Sequence, residues 1–226
     1  FDYPTNTFTR SLDLKTGLAE RTIRIDIDGA TLTVQERKFV SMANRHLIAM
    51  QVTLQASAPL TLTLLQGIDS DVWSLNGQHL QDIVMAPIEE GFIASALLPT
   101  YQDTLVVGSA LKIGDIQYEK QRILSRSTVA LQPNPPFQFE QVMAVASSND
   151  TADANALVQN TLKKLPSFDA LLDASNQAWA TRWDPFNVRI EGASNDQFAL
   201  TFNLYAASIA TPVHKPLPIG ARGLSA

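Results

Sequence analysis

The side chains of this chain that could do chemistry are few and scattered. Its three histidines, His46, His79 and His214, lie far apart, and no two have the spacing that sets imidazoles together around a metal. A structural or surface role is expected for each. Asp69 and Asp71 begin like a calcium loop, but Trp73 and Ser74 stand where an oxygen ligand and a glycine belong. Glu89 and Glu90 are adjacent carboxylates, and sequence neighbours point apart, so a solvated loop ahead of Gly91 accounts for them. With no cysteine there is no thiol nucleophile, disulfide or cysteine metal cage. Neither a Gly-x-Ser-x-Gly elbow nor a phosphate-cradling glycine loop occurs. No catalytic residue and no metal ligand set is assigned from these residues.

Two kinds of side chain remain. The aromatic faces of Trp73, Trp179 and Trp183 could stack on the apolar face of a pyranose. Trp179 and Trp183 are four apart, however, which is the spacing of a packing stripe on one helix, so a core role is expected for them. Arg222 lies among Gly220, Ala221 and Gly223, after a segment that Pro212, Pro216 and Pro218 hold extended. A planar guanidinium there can present its donors to hydroxyls or a carboxylate. It can equally form a salt bridge that orients its own loop.

Something must position these groups, and composition bounds what that is. The chain has 226 residues and a mass of 24.7 kDa, enough for one large domain or a domain with an appendage. Apolar residues make up 45 %, so a packed core is expected. Charged residues are 17 %, against about 25 % in ordinary soluble domains, which suits a chain with much surface covered by other protein. A net charge of -5 and a pI near 5.1 argue against nucleic acid, which requires a basic face. No apolar run approaches the roughly 20 residues needed to cross a bilayer. No signal peptide stands at Phe1, although an excised chain would have lost one, and the absence of cysteine fits a cytoplasmic location. The lone Asn149-Asp150-Thr151 sequon is read as coincidence.

Periodicity divides the chain. Thr22-Ile23-Arg24-Ile25-Asp26-Ile27 alternates strictly, Asp28-Gly29 tolerates the positive φ angles of a type I′ turn, and Thr31-Leu32-Thr33-Val34-Gln35 alternates again. This predicts a hairpin. Further strand-like runs cover 47–54, 60–65, 92–97, 104–107, 123–131 and 137–146. Short strands between Gly, Pro, Asn and Asp clusters predict an antiparallel sandwich. After the polar stretch 147–151 the period changes to about 3.6. A helix is predicted over 154–164, stopped by Pro166. A second is capped by Ser167, with Phe168, Leu171, Leu172, Ser175, Ala178, Trp179 and Arg182 on one face. Asp184-Pro185 ends it, and 188–190 is expected to add a short strand. Ser194 and Gln197 form a capping-box pattern opening a third helix. Its Phe198, Leu200, Phe202, Leu204, Tyr205 and Ile209 cover nearly the whole circumference. Packing on one side alone would leave large side chains bare, so the helix is expected to be covered by a second polypeptide, a symmetry-related copy or barrel residues.

Three segments in fixed order then carry a family likeness: Ala178-Trp179-Ala180-Thr181-Arg182-Trp183-Asp184, the stretch Asp196-Gln197-Phe198-Ala199-Leu200-Thr201-Phe202-Asn203-Leu204-Tyr205, and the end Gly220-Ala221-Arg222-Gly223-Leu224-Ser225-Ala226. Upstream, Leu12-Asp13-Leu14-Lys15-Thr16-Gly17, Glu36-Arg37-Lys38-Phe39-Val40-Ser41 and Gly67-Ile68-Asp69 add to it. Together they resemble family 65 of the glycoside hydrolases and phosphorylases, which includes maltose, trehalose and kojibiose phosphorylases and acid trehalases.

The resemblance implies a super-sandwich type β-sandwich over 1–148, a helical linker over 149–193, and over 194–226 the first helix and loop of an (α/α)6 barrel truncated here. It places Arg222 and Gly223 at the rim of a substrate site. It implies an α-linked glucose disaccharide as substrate, inversion at the anomeric carbon, no cofactor, and inorganic phosphate as co-substrate in a phosphorylase. Partners would be the remaining barrel of the same enzyme and a second copy in a homodimer, with no nucleic acid and no membrane. The family's catalytic acid lies deep in the barrel, so the chain alone is expected to be inactive. Ala226 departs from the glycine usual there, and an Asn-Gly-Tyr motif expected upstream is absent. A free-standing carbohydrate-binding or structural sandwich module is the alternative.

Overall fold

A computed structural model describes residues 5–72, 77, 79–111, 114–119, 121–186, 188–192, 194–212 and 214. Eleven strands come first among them: β1 (Thr5–Leu12), β2 (Ala19–Ile27), β3 (Ala30–Val40), β4 (Leu47–Ala56), β5 (Leu60–Asp69), β6 (Gln81–Pro87), β7 (Phe92–Leu98), β8 (Asp103–Ala110), β9 (Asp115–Glu119), β10 (Arg122–Leu131) and β11 (Phe137–Ser147). Three α-helices follow, α1 (Ala154–Leu162), α2 (Phe168–Trp183) and α3 (Ser194–Ala210). The strands form an eight-stranded sheet in the order β1-β2-β3-β4-β11-β8-β7-β6 and a three-stranded sheet in the order β5-β10-β9. The pairings are antiparallel. The expected antiparallel sandwich with a helical C-terminal part is what the chain builds.

The predicted hairpin forms between β2 and β3. Ile27 pairs with Ala30, and Asp28 and Gly29 have φ of 50° and 80°, the two positive angles a type I′ turn demands. β1, β6 and β9 have no counterpart among the predicted strands. All three are outermost strands among the described residues, at least half of each is wet, and β6 shifts register between Gln81 and Val84, so none shows a clean alternation.

β4 shows how the layers are joined. Its side chains alternate, so Leu47 and Ala49 enter one core and Val52, Leu54 and Ala56 the other. The second core lies between the sheets, where Leu32, Val52 and Leu54 meet Leu60 and Leu131. The first lies on the opposite face of the large sheet, where Phe39, Val106 and Ala144 meet Val158 and Leu162 of α1 and Phe168 and Leu172 of α2. A strand buried on both faces is expected to be largely apolar, and β4 is so except at Gln51, Thr53 and Gln55, of which Gln51 is bonded to Arg37 and Glu140.

Local chemistry starts the helices on this face. Asp153 accepts from the Ala156 amide at 2.8 Å to cap α1, and Ser167 accepts from Ala170 at 3.4 Å to cap α2, as predicted. The sheet also holds the start of α2. Glu140 of β11 accepts from the Phe168 amide at 2.9 Å, and the Arg37 guanidinium lies 5.0 Å from the Phe168 ring centre.

Two expectations need correcting. Residues 188–190 are not a strand: the Ile190 amide donates to Gln197 Oε1 at 2.6 Å, and Gln197 Nε2 donates to the Val188 carbonyl at 3.2 Å. A side chain, not a neighbouring strand, satisfies this backbone. The same bonds occupy the carboxamide that the capping box would have turned back to Ser194, so Gln197 ties α3 to the preceding segment instead.

Candidate functional site

The sheet fixes α2, and α2 fixes α3. Ser175, 0 % exposed, accepts from the Met42 amide at 3.0 Å and pins the middle of α2 to the β3–β4 connection. One turn on, Trp179 is 2 % exposed and stacks with both Trp183 and Tyr205 of α3, with ring centres 6.3 and 5.4 Å away. Gly17, at φ 69°, lets the β1–β2 turn come close to the indole: a Cβ there would sit 3.1 Å from Trp179 Nε1. Trp183 Nε1 donates to the Lys15 carbonyl of that turn at 3.1 Å. Arg182 reaches across to the Ser208 carbonyl at 3.4 Å.

Between these parts opens a cleft of about 610 Å³, lined by Lys15, Asn176, Trp183, Phe186, Arg189 and Gln197 among others. Asn176 Oδ1, Trp179 Nε1 and Arg182 Nε, all on this stretch of α2, are shut from water and have no hydrogen-bond partner among the described residues. Burial raises the Tyr205 hydroxyl above the ordinary tyrosine range, so it stays neutral beside Trp179. Among the described residues the cleft is lined by one carboxylate, Asp184, and no histidine. It can seat a group of mixed polarity, and its described residues offer no acid–base pair.

The sequence candidates fall in several places. Trp179 is core and Trp183 packs and hydrogen-bonds, as the four-residue spacing implied. Trp73, Arg222 and Gly223 lie outside the described residues. His46 is structural: its Nδ1 is 2.8 Å from the Val145 carbonyl, and Arg45 Nε donates to its Nε2 at 3.1 Å. His79 and His214 are exposed. Asp69 receives Arg122 Nε at 2.8 Å and the Asp71 amide at 2.9 Å, closing an Asx turn. Glu89 and Glu90 sit in the β6–β7 turn. Among the described residues no group of three or more His, Cys, Asp or Glu could hold a metal ion.

The sequence reading missed Lys15, Thr16 and Gln197 as cleft residues. Only Gln197 carried a local signal, through its helix-start pattern, and that signal pointed to a different bond.

A profile described as Glycosyl hydrolase family 65, N-terminal domain, matches residues 4–182. The chain belongs to this family. The family 65 domain is 35 % identical over 226 aligned residues to 1,2-alpha-glucosylglycerol phosphorylase of Bacillus selenitireducens, covering 96 % of this chain and 29 % of that protein. It is 25 % identical over 234 residues to kojibiose phosphorylase of Escherichia coli K12, covering 96 % and 31 %. A solved structure from human microbiome, described as a kojibiose phosphorylase, superposes with a TM-score of 0.86 at 18 % identity, covering 99 % of this chain and 31 % of that one. That likeness concerns the fold. The family 65 domain thus spans about three tenths of the length of these relatives.

Proposed function

We propose that this domain is the non-catalytic scaffold of an α-glucoside phosphorylase that acts on a glucose disaccharide with inversion. In this reading 1–148 is the sandwich, 149–193 the linker, and α3 the first helix of a barrel completed by residues of the longer enzyme. Residues 211–226 then lead to the rim of the substrate site, with Arg222 and Gly223 in contact with sugar. Inorganic phosphate is the co-substrate, no cofactor is used, and the enzyme is cytoplasmic and homodimeric. Phosphorolysis is favoured over hydrolysis because the relatives at 35 % and 25 % identity are phosphorylases. An inverting attack needs one carboxylic acid at the leaving oxygen and a nucleophile on the opposite face, and the cleft carboxylate Asp184 has no such partner.

The outer face of α3 carries the reading. Phe198, Phe202 and Ile209 are 65, 50 and 39 % exposed, and the two phenyl rings stack on each other with centres 6.5 Å apart. Full burial of each is worth about 1.5–3 kcal/mol, which neighbouring barrel helices would supply. Ser194–Ala210 meets the rest of the chain through its other side, at Thr201, Leu204, Tyr205 and Ser208.

The test compares two lengths of protein. Phe198→Glu with Phe202→Glu should leave the 226-residue chain within about 0.5 kcal/mol of its original stability, as exposed substitutions do. In the longer enzyme the same pair should destabilise and remove phosphate-dependent release of glucose 1-phosphate from kojibiose. The 226-residue chain should release no glucose or glucose 1-phosphate from maltose, trehalose or kojibiose. Release that tracks protein purity would sink the scaffold reading, as would a longer enzyme indifferent to the double substitution.

A further inference from the structure

Two of the segments that carry the family likeness, 12–17 and 178–184, meet in space. Trp183 Nε1 donates to the Lys15 carbonyl at 3.1 Å across 168 positions of sequence. The first segment forms the β1–β2 turn, which is braced by its own bonds. The Asp13 amide donates to the Leu18 carbonyl at 2.9 Å, and the Gly17 amide to the Asp13 carbonyl at 2.7 Å. The Lys15 amide donates to Asp13 Oδ1 at 2.8 Å, and the Leu18 amide to Thr16 Oγ1 at 3.3 Å. Leu18 packs against the core that the large sheet shares with α1 and α2. Reversing a strand does not require this much: Asp28 and Gly29 turn the next hairpin by themselves. Residues 13–18 hold a longer connection in one shape, against the end of α2.

That end of α2 is where α3 is held. The sheet fixes α2 at its start, through Glu140 and the Phe168 amide, and at Ser175. The last two turns carry Trp179 and Trp183, whose rings stack with each other, and Trp179 stacks in turn with Tyr205 of α3. An indole has two rotatable side-chain bonds, and a hydrogen bond from its N–H to a rigid carbonyl leaves one orientation for the ring. The turn therefore sets Trp183 through Lys15 and limits Trp179 through the close approach of Gly17.

We infer that the β1–β2 turn is a positioning element for α3, with Trp183 and Gly17 as its positioning residues. The turn fixes the two indoles, the indoles fix Tyr205, and the line of α3 sets the substrate rim that follows it. The last of these steps rests on the scaffold reading above; the first two do not. A merely stabilising contact would behave differently. Its loss would lower the fraction of folded enzyme, and so the apparent kcat, and leave KM as it was. A displaced rim changes KM in molecules that are fully folded.

Two single variants disturb the contact from its two ends. Trp183→Phe keeps a ring for Trp179 but removes the N–H that the Lys15 carbonyl accepts. Gly17→Ala keeps both indoles but sets a methyl 3.1 Å from Trp179 Nε1, at a φ of 69° that alanine adopts only at a cost. In the isotopically labelled 226-residue chain, each should shift the backbone amides of residues 201–208 as well as those of 13–18. In the longer enzyme, each should raise KM for kojibiose at least about fivefold while kcat changes less than about twofold, in preparations with native far-UV circular dichroism. Amide shifts confined to 13–18 and α2 overturn the coupling to α3. An unchanged KM in either variant, including one where kcat falls in step with the folded fraction, overturns the positioning role. The Phe198→Glu with Phe202→Glu enzyme separates the two readings. If that pair stays active, the scaffold reading fails and takes the last step with it. If that pair is inactive while Trp183→Phe and Gly17→Ala keep the original KM, the positioning role alone is lost.

Discussion

Gly108 lies on β8 where α1 crosses the large sheet, and Gly108→Ala is expected to weaken that contact. A Cβ at this position would be 2.6 Å from Leu162 Cδ1 and 2.6 Å from Val158 Cγ1. Non-bonded carbons settle at about 3.5–4.0 Å, so each contact is short by about 1 Å. Val158 and Leu162 are 0 and 1 % exposed, so neither can swing into solvent. Val158 is branched at Cβ and nearly locked in one helical rotamer, which leaves rotation of Leu162 or lifting of the helix. Overpacking of this kind costs about 1–3 kcal/mol. Replacing a strand glycine returns about 0.5–1 kcal/mol through the unfolded chain, and no positive φ opposes it here. A net loss of about 1–2 kcal/mol follows.

Urea denaturation followed by far-UV circular dichroism measures this loss directly. Leu162→Ala alone should cost about 2–5 kcal/mol, because it opens a cavity under α1. The double variant should be more stable than the sum of the two by at least about 0.5 kcal/mol, since the new methyl occupies part of the space Leu162 vacates. A Gly108→Ala variant as stable as the original protein, or strict additivity in the double variant, would refute the close-packing argument.

Two further outcomes are expected. Burial alone would raise the Asp103 carboxyl, but hydrogen bonds from Ser148, Asn149 and the Thr104 amide outweigh it and hold it below the ordinary 3.8. A depressed folded pKa contributes stability that is present above 3.8 and is lost as pH falls through the folded value, so acid unfolding should be shallower in Asp103→Asn than in the original chain; identical acid limbs would count against it. On the proposed reading, Arg222→Lys in the longer enzyme keeps the charge but loses the planar fork, and should lower kcat/KM by about 1–3 kcal/mol. Unchanged kinetics with an unchanged melting temperature would remove Arg222 from the substrate rim.

Where structure depends on neighbours in sequence, the residues were sufficient to read it. The Asp28-Gly29 turn is legible because only a few residue types accept two successive positive φ angles. The Ser167 cap is legible because an oxygen three residues ahead of an amide can hardly bond elsewhere. The four-residue spacing of Trp179 and Trp183 told of packing for the same reason. The family likeness was legible as well, since ordered local segments survive without any knowledge of the fold.

Partners distant along the chain were decided only in three dimensions. Nothing near Arg37 announces Asp169, 132 positions away, or the Phe168 ring beneath its guanidinium. Lys15 and Thr16 enter the cleft because Gly17 lets their turn lie against Trp179. Gln197 has the residue type of a cap, yet its amide bonds 188–190, because those backbone groups had no strand to pair with and the carboxamide was within reach. The all-round apolar α3 declared its need for burial, but which flank rests on α2 and which stands open follows from the Trp179–Tyr205 stack. Periodicity is a property of one element, whereas the choice of partner is settled by how all the elements close around a shared core.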